Sequence, residues 1–163
     1  MPRRPGFSLV ELVLVIVILG IIGAIAVPRL SNAGKGAAQN ALAMNLAIVT
    51  KAVELYKAEH GGQVPTTTAQ LTMPTNAAGT TNATRSATYR YGPYINKMPA
   101  LTMGTHKGKS DLTDAGTPGT DSDAGWWIDN TTGDVRANLP DSDKTDDGVI
   151  INTLKSGDFG IKN

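Results

Sequence analysis

From Leu12 to Val27 the chain carries an unbroken apolar run. With Phe7–Val10 ahead of it, the run reaches the roughly 20 residues that a helix rising about 1.5 Å per residue needs to cross a bilayer core. Such a segment is expected to enter a membrane. One carboxylate, Glu11, lies inside it, and a short basic leader with Arg3 and Arg4 precedes it. An acidic side chain costs about 2.5–3.5 kcal/mol at the bilayer centre and less near an edge, so Glu11 calls for a partner or a function.

Two plainer readings compete. Arg3, Arg4, the apolar stretch and Ala24-Ile25-Ala26 also fit a conventional secretory signal with a small-residue cleavage site. Against that, the run exceeds the usual core of about 7–15 residues and contains a carboxylate, and an amphipathic helix continues beyond Pro28. Alternatively, Glu11 snorkels to the interface of a simple signal anchor.

The stretch Gly6-Phe7-Ser8-Leu9-Val10-Glu11-Leu12, followed by the apolar run ending at Val27-Pro28, resembles the class III signal of type IV pilins and type II secretion pseudopilins. The resemblance implies that a prepilin peptidase cuts after Gly6 and methylates the new amino terminus at Phe7. It also implies that Glu11 becomes the fifth residue of the mature chain, and that subunits polymerise through their amino-terminal helices on an inner-membrane assembly platform. Elementary chemistry fits those roles. A free amine at Phe7, with an ordinary pKa of about 8, stays cationic near neutral pH. Glu11 follows one turn later, about 6 Å along the axis. Pairing Glu11 of one subunit with the Phe7 terminus of the next removes two desolvation penalties and fixes the axial stagger.

Gly20 and Gly23 each weaken a helix by about 1 kcal/mol relative to alanine, and Pro28 removes a helical hydrogen bond. A kink or local melting is expected there. The resemblance implies that this segment unwinds in filaments, which makes Gly20 and Pro28 assembly positions together with Glu11.

Beyond Pro28, Leu42, Leu46, Val49, Val53 and Tyr56 recur at spacings of four, three, four and three, a helical stripe that reads as a core face. Ala41, Met44, Ile48, Ala52 and Leu55 widen the apolar sector, either for neighbouring subunits or for the same core, while Lys51, Glu54 and Lys57 fall on the far side. His60-Gly61-Gly62 stops the helix and Pro65 forbids its resumption. Thr67 and Gln70 have capping-box spacing, which predicts a short helix over 67–72, and residues 74–88 read as a connecting loop. Trp126 and Ile128 alternate before Asn130-Thr131-Thr132-Gly133, and Val135, Ala137 and Leu139 alternate after it, which predicts a hairpin. Val149–Leu154 is expected to be a further strand. Trp126 and Trp127 are expected to split between core and surface.

The fold class is therefore α+β: a long membrane-spanning helix whose second half packs on a small antiparallel sheet, as in pilins. The expected segments are a leader (1–6), a transmembrane and assembly helix (7–28), an amphipathic half-helix (29–60) and a globular loop and sheet region (61–163). Tyr56–Thr67 and Gly92–Pro99 resemble major pseudopilins of type II secretion. Beyond Pro99 the chain departs from that pattern, having neither an Asp-Pro-Trp-Gly segment nor a Gly-rich acidic terminal loop.

Asp111, Asp114, Asp121 and Asp123 form one acidic cluster, and Asp141, Asp143, Asp146 and Asp147 another. Their spacing supplies oxygens suited to calcium, which the resemblance to major pseudopilins also implies, although neither follows the EF-hand rule. Solvated loop acids are the alternative. Catalysis finds little support: His60 and His106 are isolated and expected at the surface, and no Ser-His-Asp elbow, HExxH, phosphate loop or dinucleotide fingerprint is present. Losing the leader removes two of fifteen basic side chains against fourteen acidic, so the formal charge moves from +1 to −1 and gives no case for nucleic-acid binding. Cysteine is absent. Many type IV pilins close a carboxy-terminal loop with a disulfide, so the resemblance leans toward a pseudopilin.

The expected function is a structural, non-enzymatic filament subunit. It is held in the bacterial inner membrane by a single pass in contact with lipid, with its globular part on the periplasmic side. Its partners are further copies of itself, the peptidase and the platform. A type IV pilin serving adhesion, motility or DNA uptake, or an anchored or secreted binding module, are the alternatives.

Overall fold

The computed structural model describes residues 6, 8–121, 123–145, 148–155 and 158. Phe7 and the first five leader residues lie outside the described residues, as do Asp146, Asp147 and the side chain of Pro28. Helix α1 runs Leu9–Glu59 and belongs to two compact units, Met1–Ala37 and Ala38–Asn163.

In the first unit, Leu9–Val27 is long and apolar enough to cross a membrane, with mean hydropathy 3.0, and none of it is buried within the chain. The backbone stays helical through Gly20, Gly23 and Pro28, so the expected melting is not present in the single subunit. Pro28 offers no N–H to the preceding turn, and a Cβ built on Gly20 or Gly23 meets nothing within 4 Å. The weak points are built in, but the isolated helix does not break at them.

In the second unit the predicted stripe is the core. Leu42, Leu46, Val49, Val53 and Tyr56 are each at most 1% exposed. They cluster with Leu71, Leu101, Leu112, Trp126 and Ile128. Ala52 joins them, whereas Met44, Ile48 and Leu55 stay 67%, 47% and 44% exposed. The wider apolar sector thus divides between core and surface. At the helix end Gly61 and Gly62 take positive φ, and the Gly62 N–H donates to the Lys57 carbonyl at 2.8 Å, a six-to-one bond that closes the last turn.

Helix α2 (Thr68–Thr72) forms where the capping spacing placed it, with the Thr67 N–H donating to Gln70 Oε1 at 3.2 Å. Strands β1 (Asp111–Thr113), β2 (Ala124–Ile128) and β3 (Val135–Ala137) make one sheet in that order. The β2–β3 hairpin is antiparallel and pairs Trp126 with Ala137 and Ile128 with Val135. β1 lies parallel to β2, so the sheet is mixed rather than wholly antiparallel. Residues 114–123 carry the chain back to the starting end of β1, a return that a tight turn cannot make. Buried Asn138 holds this loop: its Nδ2 donates to the Asp121 and Ala124 carbonyls at 2.7 and 2.9 Å, and its Oδ1 accepts the Gly119 N–H.

The expected strand over 149–154 is instead a 3₁₀ turn at Ile151–Thr153, preceded by a single bridge between Lys144 and Ile150. Ile151 still enters the core. The segment is anchored by the Asn152 amide, which donates to Leu139 O and Asp141 Oδ1 rather than to a strand ladder.

Candidate functional site, the capped helix start and the exposed apolar helix surface

Glu11 is fixed by its own helix. The Ser8 N–H donates to Glu11 Oε2 at 2.9 Å, and the Val10 N–H faces Ser8 Oγ at 3.4 Å. Ser8-x-x-Glu11 is a capping-box signature that the apolar run obscured in the sequence. The carboxylate therefore sits at the positive end of α1, partly compensated before any neighbour arrives. Gly6, one residue before the outlying Phe7, is exposed, and a Cβ there meets nothing within 4 Å. Among the described residues nothing makes a steric demand for glycine at that position.

Around this start, Leu9 to Ile25 presents large apolar side chains, each at least 44% exposed. In the second unit Met44, Ile48 and Leu55 add a separate apolar strip on α1. Lys57, read as a solvent residue, instead donates from Nζ to the Thr132 carbonyl at 2.7 Å and ties the hairpin turn to the helix.

The two histidines are not surface residues. His60 is 5% exposed, stacked 3.9 Å above the Tyr56 ring, with Nδ1 3.0 Å from Tyr56 O and Nε2 3.0 Å from both Asn76 O and Thr75 Oγ1. Half-buried His106 reaches Asn138 O through Nδ1. Apart from Tyr56, one turn earlier on α1, their partners lie in distant loops, so the burial of neither histidine was marked locally. Beside His60, the Tyr94 hydroxyl donates to Glu59 Oε2 at 2.6 Å; burial, then that carboxylate, push the phenol far above its ordinary pKa. Trp126 is fully buried, its Nε1 donating to Pro99 O at 2.7 Å. Trp127 is half-buried, with the Arg136 guanidinium 5.8 Å from its ring centroid. The pair divides as expected.

The described members of the acidic clusters are held by groups of the chain itself. Among the described residues no group of three or more His, Asp or Glu side chains converges. Asp123 pairs with Lys109 at 3.0 Å, Asp121 Oδ1 accepts the Asp123 N–H at 3.0 Å, and Asp111 Oδ1 takes the Thr68 hydroxyl at 3.4 Å. In the second cluster Asp143 accepts the Thr105 N–H and hydroxyl, and Asp141 the Asn152 amide. The Asp123 amide holds the Asp121 carboxyl below the usual carboxylate range, and the Thr131 and Thr132 amides do the same for Asp129.

An exposed apolar helix with a carboxylate capped at its start, continuing into a helix that forms the core of a small α+β domain, defines a pilin-like subunit. The family model for the prokaryotic N-terminal methylation motif matches residues 1–27. The type II secretion system core protein G of Aeromonas hydrophila is 32% identical over 136 residues, covering 77% of this chain and 93% of that protein. Its counterpart in Klebsiella pneumoniae is 30% identical over 139 residues, covering 78% and 96%. That of Vibrio cholerae is 32% identical over 103 residues, covering 61% and 65%. No solved structure matches the chain. The chain belongs to the type II secretion system core protein G family, the pseudopilins. The likeness extends past Pro99, although the chain has no Asp-Pro-Trp-Gly segment there.

Proposed function

We propose that this pseudopilin is made as a precursor, cut after Gly6, methylated at Phe7 and held in the inner membrane by Leu9–Val27 with its second unit on the periplasmic side. It then polymerises into a pseudopilus on the secretion machinery, Glu11 of one subunit meeting the Phe7 terminus of another. Its role is structural and needs no catalytic group. The observation that carries the reading is the unburied apolar helix whose one carboxylate is held at its amino end. In a bilayer lipid covers that surface; in a polymer the helices of other copies do, and Glu11 exchanges its own Ser8 amide for a full positive charge.

The test is the intact mass and amino-terminal sequence of the protein from a membrane fraction. A chain starting at Phe7 with one added methyl is expected. A start at Met1 or Val27 overturns the processing route.

A further inference from the structure

Charge is segregated along the second unit. Between His60 and Ser110 there is no Asp or Glu, while Arg85, Arg90, Lys97, Lys107 and Lys109 are basic. From Asp111 onward eleven Asp face four Lys or Arg. The basic stretch contains a built loop. Arg85 donates to the Gly92 carbonyl at 2.8 Å and to the Arg90 carbonyl, closing residues 85–92 on themselves. That closure holds out Arg90, which is exposed, lies 5.1 Å from the Tyr91 ring centroid and donates to the Tyr91 hydroxyl at 3.0 Å. Among the described residues no ion pair engages Arg85, Arg90 or Lys97. An unpaired arginine on a tyrosine, on a pinned loop, is the kind of anchor that protein interfaces favour.

The complementary charge is on the same chain. Asp111 is exposed and Asp114 half-buried, and among the described residues neither has a cationic partner. The carboxylates of α1 are engaged, Glu54 by Lys51 at 3.6 Å and Glu59 by the Tyr94 hydroxyl. We propose that the 85–97 loop of one subunit docks on β1 and the residue that follows it in a second copy, Arg90 meeting Asp111 or Asp114. Two different patches in contact make a heterologous interface, which repeats along a polymer instead of closing into a dimer. The inference rests on the filament reading, because only there do copies present both patches to one another at high local concentration. Nucleic acid is a poorer occupant: with Arg85 turned onto its own loop and Lys109 paired with Asp123, Arg90, Lys97 and Lys107 release too few counterions for useful affinity.

The experiment measures polymer yield from the full-length chain in secretion-competent cells, with folding checked by thermal denaturation of the extracted subunit. Arg90→Glu is expected to leave the denaturation midpoint unchanged and cut polymer yield about tenfold, the scale of one interfacial charge pair. Adding Asp111→Arg or Asp114→Arg to the same chain is expected to restore it. Because the native chain has no cysteine, Arg90→Cys with Asp114→Cys is expected to give disulfide-linked ladders. Unchanged yield for Arg90→Glu overturns the inference, and rescue by Glu54→Arg alone moves the partner to the helix and overturns it equally. Loss of DNA binding in Arg90→Glu with normal polymer assigns the loop to nucleic acid instead. Absence of polymer from the unaltered chain defeats the filament reading itself, which separates the two failures.

Discussion

Asp129 opens the β2–β3 turn, and its Oδ1 accepts the Thr131 and Thr132 N–H groups at 2.8 and 3.1 Å. These bonds favour the ionised form, which is why its pKa is lowered. A carboxyl whose folded pKa lies below its unfolded one contributes stability that is present above the ordinary aspartate pKa of about 4. That contribution is lost as pH falls through the lower folded value. Asp129→Asn should therefore lower thermal stability modestly at neutral pH, where the ionised carboxylate contributes, and flatten the further loss on acidification below about pH 4. Parallel acid titrations of the two proteins check this, and equal slopes defeat it. Trp126 makes a different argument at the same scale. Trp126→Phe keeps a ring in the core but orphans the Pro99 carbonyl, and should cost about 1–3 kcal/mol in denaturant unfolding.

Along α1 the 3.6-residue period made the core legible, because burial against one sheet leaves a pattern that single residues report. The fate of the flanking apolar residues was not legible, since Ala52 and Ile48 differ in what lies opposite them and not in chemistry. Leu46→Ala should destabilise the extracted subunit by about 2–5 kcal/mol, and Ile48→Ala by less than about 0.5 kcal/mol. Similar losses for both in calorimetry would show that Ile48 is part of the core. The hairpin was readable from alternation around Asn130–Gly133. The parallel partner was not, because its pairing depends on a loop clasped by Asn138 from beyond the hairpin. Gly125 is the residue skipped where Asp111 pairs with Ala124 and Leu112 with Trp126. A Cβ there falls 2.2 Å from the Lys109 carbonyl. Gly125→Ala should cost about 1–3 kcal/mol by forcing β1 and β2 apart.

For the whole molecule, the leader and the first turn of α1 carried most of the functional reading in the sequence, because processing depends on the local peptide and needs no tertiary structure. The acidic loops were less legible for the opposite reason: spacing along a chain does not say which donors the fold will aim at each carboxylate. Glu11 joins both levels, since Ser8 holds it in the single chain and, in the proposed polymer, a neighbouring amine would replace Ser8. Separate variants divide these roles. Gly6→Ala should accumulate full-length precursor, because the methyl group meets nothing in the fold and affects only recognition by the peptidase. Glu11→Gln keeps a side-chain oxygen for the Ser8 amide and removes the charge, so cleavage and membrane insertion should proceed normally. Polymer yield should nevertheless fall at least about tenfold, since the incoming amine loses its counter-charge in an apolar bundle. Normal polymer from cleaved Glu11→Gln protein would leave the capping box as the whole role of Glu11 and remove the charge pair as the device that sets axial stagger.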